Sequence, residues 1–151
     1  MGIISKIRGR AVYGDVQTLY GGLGKQVLAL TATQVKNLYT TPLAIVPAPG
    51  AGKVTSVVEV VAKYVFGTTA FTGSNNLEFR YTSSNGAKVS ADIDAAFLLA
   101  ASGTNYRTVK GVVTELTPVA NAPIVVNVPS ANPGQGLGTL TLTVFYRTIT
   151  P

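Results

Sequence analysis

The chain has 151 residues, a mass of 15.6 kDa and a formal net charge of +6, a size that fits one domain able to bury its own core. It contains no His and no Cys, which excludes Ser-His-Asp and Cys-His nucleophiles, imidazole bases, disulfides and metal sites with nitrogen or sulfur ligands. Only 12% of the residues are charged, against about 25% in an average soluble domain. This composition predicts that part of the surface is normally covered by something else.

The first 25 residues are basic and rich in glycine, and they carry half of the formal charge. They lack apolar periodicity, so we predict an extended basic arm over residues 1–25 and a β-domain over residues 26–151. Aromatic residues mixed with Arg are typical of protein interfaces. We therefore predict a protein interface, with nucleic acid or no partner at all as the alternatives. The predicted interface residues are Lys6, Arg8, Arg10, Tyr13, Tyr20 and Lys25.

No targeting or membrane segment stands out in the sequence. The longest stretch without charge, residues 116–146, is broken by four prolines and a glycine-rich run, so it does not read as a membrane helix. We expect a chain made in the cytoplasm that has no membrane association.

The first elements of the β-domain are a helix and two strands. A short helix is predicted over Thr33–Leu38, with Thr31 as its N-cap and Gln34 completing a capping box. A short edge strand at 43–47 precedes a long strand from Val54 to Phe66. Its even-numbered residues are predicted to share one face and its odd-numbered residues the other. Because both faces are largely apolar, we expect the strand to be covered on both sides.

The second half of the β-domain reads as more strands joined by turns. Leu77, Phe79 and Tyr81 alternate with polar residues, which predicts a strand with one wet face. The following Asn85-Gly86 pair predicts a tight hairpin, since both residues tolerate a positive φ, and a return strand through Val89, Ala91 and Ile93. The segment 95–101 reads as strand or loop. Further strands are predicted over Arg107–Leu116, Pro123–Val128 and Thr139–Ile149.

Together these elements predict an all-β fold. Seven or eight short strands separated by turns are typical of an antiparallel β-sandwich or jelly roll, here with an N-terminal arm and one short helix.

Three motifs resemble chemical sites but lack the context that such sites need. Residues 49–53 look like a phosphate loop but lack its first Gly and its final Ser or Thr, so we predict a turn. Asp92 and Asp94 are predicted to share a strand face, with too few neighbouring ligands for a cation. Residues 134–138 lack the helix of a dinucleotide fingerprint and are predicted to be a flexible loop. We predict no catalytic, metal or cofactor residues, and no enzyme.

The motifs between residues 28 and 82 follow a characteristic order. The segment 30–38 is followed by the run TPLAIVPAPGAGK at 41–53, a Val-rich strand, the loop 67–73 and the strand 77–81. This order resembles that of small structural proteins of tailed bacteriophages. The resemblance implies a capsid decoration, or cement, protein of the virion, made in the host cytoplasm. Such a protein would clamp neighbouring major capsid subunits at the capsid surface as a dimer or trimer.

Two hypotheses about function are therefore carried forward. The first is a capsid cement protein that binds through flat apolar strand faces and the basic arm. The second is a head- or tail-fibre module that binds a host receptor or glycan through aromatic side chains at loop tips, a role that jelly rolls also serve. The aromatic candidates for the second hypothesis are Tyr39, Phe71 and Tyr106.

Overall fold

The computed structural model describes residues 22–73, 75–112 and 115–151. Within these ranges the chain is almost entirely β, with one helix, α1, at Ala32–Lys36 and one turn of 3₁₀ helix at Ala95–Phe97. The strands β1 to β9 are Gly24–Leu30, Leu43–Val46, Val54–Val65, Phe71–Thr72, Glu78–Tyr81, Thr104–Lys110, Ile124–Asn127, Gly134–Gln135 and Thr139–Ile149. All pairings between these strands are antiparallel, and the predicted all-β fold is confirmed.

The strands form a sandwich of two main sheets. The larger sheet has the order β1-β9-β3-β6, and the smaller has the order β2-β7-β5. Strands β4 and β8 form a separate short pair. The first and last strands of the domain are neighbours, so closing the larger sheet requires contacts between residues that are far apart in sequence.

The hydrophobic core lies between the two sheets. Burying each of its larger side chains stabilises the fold by about 1.5–3 kcal/mol, and the loss of water contact is the main driving force. The inward side chains with no solvent exposure are Val60, Ala62, Tyr64, Leu140, Leu142 and Val144 from the larger sheet and Phe79, Ile124 and Val126 from the smaller.

Several predicted elements are confirmed closely. The side chain of Thr31 accepts a hydrogen bond from the Gln34 amide at 3.3 Å, and the Gln34 side chain accepts one from the Thr31 amide at 2.9 Å, which completes the capping box of α1. Strand β9 has its predicted bounds. Strand β6 begins and ends earlier than the predicted strand at 107–116. The segment 95–101 begins with a 3₁₀ turn, not a strand, because the Asp94 side chain accepts a hydrogen bond from the Ala96 amide at 2.8 Å.

The predicted faces of the long strand β3 are wrong over its first half. Val57 lies opposite Tyr146 of β9, but the next pair is Glu59 with Phe145, so Val58 is the extra residue of a β-bulge. An extra residue reverses the alternation of side chains along a strand. Buried residues are therefore odd-numbered before the bulge and even-numbered after it, apart from Val54 at the start of the strand.

The predicted hairpin at Asn85-Gly86 needs correction. The turn is closed by a hydrogen bond from the Gly86 amide to the Ser83 carbonyl at 3.0 Å, and the positive φ belongs to Thr82, at 64°. Gly86 is required for a different reason, because a Cβ there would collide with the carbonyl oxygen of Tyr81. The predicted return strand is only a set of isolated bridges, and one of them joins Ser90 to Gly111 beside the other sheet.

The glycine-rich segment 134–138 is paired and packed, which corrects the prediction of a flexible loop. Gly134 and Gln135 form β8, which pairs with β4. A Cβ at Gly136 would collide with the ring of Phe71, and one at Gly138 would collide with the ring of Tyr64. The glycines therefore allow the backbone to lie directly on two core aromatic rings.

Candidate protein interface

The outer surface of the larger sheet has an uncharged centre bordered by charged side chains. Antiparallel register aligns its residues in rows across β1, β9, β3 and β6, and each row projects away from the core. We use the name outer face for three adjacent rows. The central row is Val27, Thr143, Val61 and Thr108, flanked by Lys25, Phe145, Glu59 and Lys110 on one side and by Ala29, Thr141, Lys63 and Tyr106 on the other.

The composition of the outer face follows from the strand sequences and the bulge. Alternating Thr residues in β9 point outward while Leu140, Leu142 and Val144 point into the core, as predicted. The bulge at Val58 directs Glu59, Val61 and Lys63 outward. The result is a surface whose central row consists of Val and Thr and contains no charge.

A shallow open groove lies beside the bulge. It is lined by Leu23, Val58, Glu59 and Phe145. The side chain of Leu23 is 60% exposed, and that of Val58 is 37% exposed. Apolar side chains grouped at the surface in this way gain free energy when a partner covers them.

Some of the charged side chains on the outer face form ion pairs and others do not. Glu59 lies directly opposite Lys110 of β6 and forms an ion pair with it. Lys25 and Lys63 form no ion pair with any residue that the structure describes. The face therefore has an excess of positive charge, in the form of two separate lysines on opposite sides of the uncharged central row.

Of the predicted arm residues, only Lys25 can be placed. It lies in β1, opposite Phe145, so the first strand includes Gly24 and Lys25, and the boundary predicted after residue 25 falls inside that strand. Lys6, Arg8, Arg10, Tyr13 and Tyr20 lie outside the described residues. The sequence singled out Lys25 and Tyr106 for different reasons, and it did not group them with the other outer-face residues, because strand order cannot be read from alternation alone.

The three aromatic candidates for glycan binding have different environments. Phe71 is 1% exposed, with its ring centroid 5.9 Å from that of Tyr64, so it is a core residue and cannot stack on a sugar. Tyr106 is 59% exposed and belongs to the outer face. Tyr39 is 46% exposed, and its amide donates a hydrogen bond to the Asn132 side chain at 2.9 Å.

A second group of charged side chains lies on and beside β5, where the sequence predicted a wet face. The Glu78 carboxylate is buried and lies 2.8 Å from Arg80 Nε and 2.8 Å from Lys88 Nζ. Lys88 also lies 2.8 Å from an Asp92 oxygen. Glu78 is therefore almost excluded from water, contrary to the prediction, because two cations compensate its charge.

The environment of this charged group changes two pKa values. Burial by itself raises the pKa of Glu78, but the hydrogen bonds and positive charges of Arg80 and Lys88 outweigh it, so the net pKa is lowered. The hydrogen bonds to Asp92 and Glu78 raise the pKa of Lys88. These shifts hold Glu78 and Lys88 in their charged forms.

The remaining motifs have structural roles. Asp92 pairs with Lys88, while Asp94 caps the 3₁₀ turn, so the two acids do not form one site. Residues 50–53 form the predicted turn, closed by a hydrogen bond from the Lys53 amide to the Gly50 carbonyl at 3.2 Å. Within the ranges that the structure covers, no three acidic side chains are grouped so that they could hold a metal ion. The helices in those ranges are too short to cross a bilayer.

Comparisons with known proteins give a limited likeness. No family model matches the chain, and no curated protein matches it in sequence. The fold is similar to a chain of the cyanophage Pam1 capsid asymmetric unit, with 14% identity, 83% of each chain covered and a TM-score of 0.44. It is also similar to a chain of the capsid of Ralstonia phage GP4, with 17% identity, 85% of each chain covered and a TM-score of 0.43. At such identities and TM-scores, no role passes from either chain to this one.

Proposed function

We propose that this chain is a structural protein of a bacteriophage virion that binds the outside of the capsid and cements contacts between neighbouring major capsid subunits. The outer face carries this proposal, because it presents an uncharged row of Val and Thr flanked by an apolar groove. The order of motifs between residues 28 and 82, which resembles that of small phage structural proteins, supports the choice of partner. The proposed role includes no catalysis and no cofactor.

A cement protein stabilises a shell by adding buried surface across the joints between subunits. A specific interface needs about 800 Å² from each partner, which a four-stranded face and its neighbouring loops can supply. Because many copies bind one shell, each contact can be modest while their combined effect is large. In this proposal the chain acts as a homo-oligomer, a dimer or a trimer, and the basic residues of positions 1–25 provide a second contact to the capsid protein.

The test is co-sedimentation of the purified chain with expanded heads that lack it. We expect saturable binding of the wild-type chain. Val27→Gln should weaken binding about tenfold, because it places a polar group where the interface buries a methyl-rich side chain. Val119→Gln is the matched control, since Val119 is also exposed (41%, against 54% for Val27) but lies outside the outer face. Equal affinities of the two variants would contradict the proposed surface.

The fibre-module hypothesis gives a different result in the same preparation. The exposure of Tyr106 favours the fibre-module hypothesis, because this aromatic side chain is 59% exposed on the outer face. If the chain does not bind heads but adsorbs to host cells, and the Tyr106→Ala variant no longer adsorbs, the cement role is wrong and receptor or glycan binding takes its place.

A further inference from the structure

We infer that the protein surface covered by the outer face is acidic and places separate carboxylates against Lys25 and Lys63. This inference rests on the proposed function and adds the chemistry of the partner. The two lysines lie in different rows and different strands, on opposite sides of the uncharged central row. From strand and residue spacings their Cα atoms are about 16 Å apart.

The acid on the outer face, and two acids elsewhere in the described residues, already form ion pairs within the chain. Glu59 pairs with Lys110, and the acids Glu78 and Asp92 pair with Arg80 and Lys88. Lys25 and Lys63 have no such partner among the described residues. Covering a lysine without pairing its charge is unfavourable, so we expect a partner that buries this face to bring its own carboxylates.

Neither the outer face of a second copy nor the first 21 residues offers a complementary charge. The outer face of a second copy would bring its own lysines toward Lys25 and Lys63. The first 21 residues have three basic side chains and one acid, so their net charge is also positive and would repel the two lysines. Charge complementarity therefore favours a different protein over self-association through this face.

A nucleic acid fits the face less well than an acidic protein does. Each strand of a duplex carries one phosphate for about every 3.4 Å of helix axis, and tight binding usually neutralises several of them. Two unpaired lysines about 16 Å apart with Val and Thr between them match isolated carboxylates better. The separation also exceeds the Debye length of about 8 Å at physiological salt, so each lysine acts nearly independently.

The experiment compares charge reversals at matched positions. Binding of fluorescently labelled chain to heads that lack it is titrated at 50, 150 and 500 mM salt, settings chosen to span weak and strong screening. Lys63→Glu and Lys25→Glu should each weaken binding about tenfold at the middle salt concentration, and the difference from wild type should shrink at the highest. Lys53→Glu is the control, because it changes the net charge equally at an exposed turn outside the outer face. Lys63→Gln, which adds no negative charge, should give an intermediate loss.

The outcomes separate this inference from the proposed function. If Lys63→Glu and Lys53→Glu bind alike while Val27→Gln is weakened, the cement role stands and the acidic partner is wrong. If the wild-type chain does not bind heads, both proposals fall. Retention of a short DNA duplex by the wild-type chain, lost in Lys63→Glu, would overturn the inference by assigning the lysines to phosphate.

Discussion

Val57 lies directly opposite Tyr146, and the next pair along the two strands omits Val58. This bulge determines which side chains of β3 enter the core and which form the outer face. Before it, Thr55 and Val57 are buried; after it, Val60 and Ala62 are buried and Val61 projects outward. The composition of the proposed interface therefore depends on one extra residue.

Deletion of Val58 should abolish the fold. With the bulge removed, one half of β3 must turn its other face inward, and the charged residues Glu59 and Lys63 would enter the core if the second half turned. Val58→Ser keeps the residue count and should cost no more than about 1 kcal/mol. Thermal unfolding followed by circular dichroism compares the two. A cooperative transition in the deletion variant within a few degrees of wild type would show that the bulge is dispensable.

The acid stability of the protein should depend on Glu78. Because its folded pKa is lowered, the carboxylate stabilises the fold above its unfolded pKa of about 4.3 and loses that contribution as the pH falls through the folded pKa. Glu78→Gln should lower the free energy of unfolding by about 1–3 kcal/mol at pH 7 and flatten the decline below pH 4.3 or so. Urea unfolding between neutral and acid pH measures both effects.

Glu115→Gln provides the comparison for Glu78. Glu115 is exposed and forms no ion pair with the residues that the structure describes, so its replacement should change the free energy of unfolding at pH 7 very little. If the two variants gave the same profile, the charged group around β5 would have no special role in stability.

Loss of the hydroxyl group should affect stability differently at two buried tyrosines. The Tyr81 hydroxyl donates a hydrogen bond to the Thr55 carbonyl, whereas the Tyr64 hydroxyl has no hydrogen-bond partner among the described residues. Tyr81→Phe should therefore destabilise the protein by about 1 kcal/mol. Tyr64→Phe should be neutral or stabilising, since it removes a buried polar group that is not paired. Denaturant midpoints rank the variants, and the reverse order would contradict these assignments.

Local signals in the sequence predicted the elements that local chemistry determines. Thr31 and Gln34 define the start of α1, and the alternation of Leu and Thr defines β9. The bulge could not be predicted, because Val57, Val58 and Val60 are the same residue type and leave the alternation ambiguous. The burial of Glu78 was missed because alternation marks it as polar and does not show that Arg80 and Lys88 both pair with its carboxylate.

The candidate interface was even less accessible to prediction. Lys25 was selected from its basic neighbourhood, but its position beside Phe145 depends on β1 pairing with β9, at the far end of the chain. Lys63 had no distinguishing local feature. The rows that define the outer face depend on strand order, which is a property of long-range pairing, so they became visible only in the folded structure.

The most direct test of the cement role is the heat stability of heads with and without the bound chain. Purified heads that lack it are mixed with the wild-type chain or with Val27→Gln at the same total concentration, and release of packaged DNA is followed with a dye during heating. We predict that heads carrying the wild-type chain release DNA at a clearly higher temperature than heads without it. The variant should raise the release temperature by less. Release at the same temperature with and without the bound wild-type chain would contradict the account.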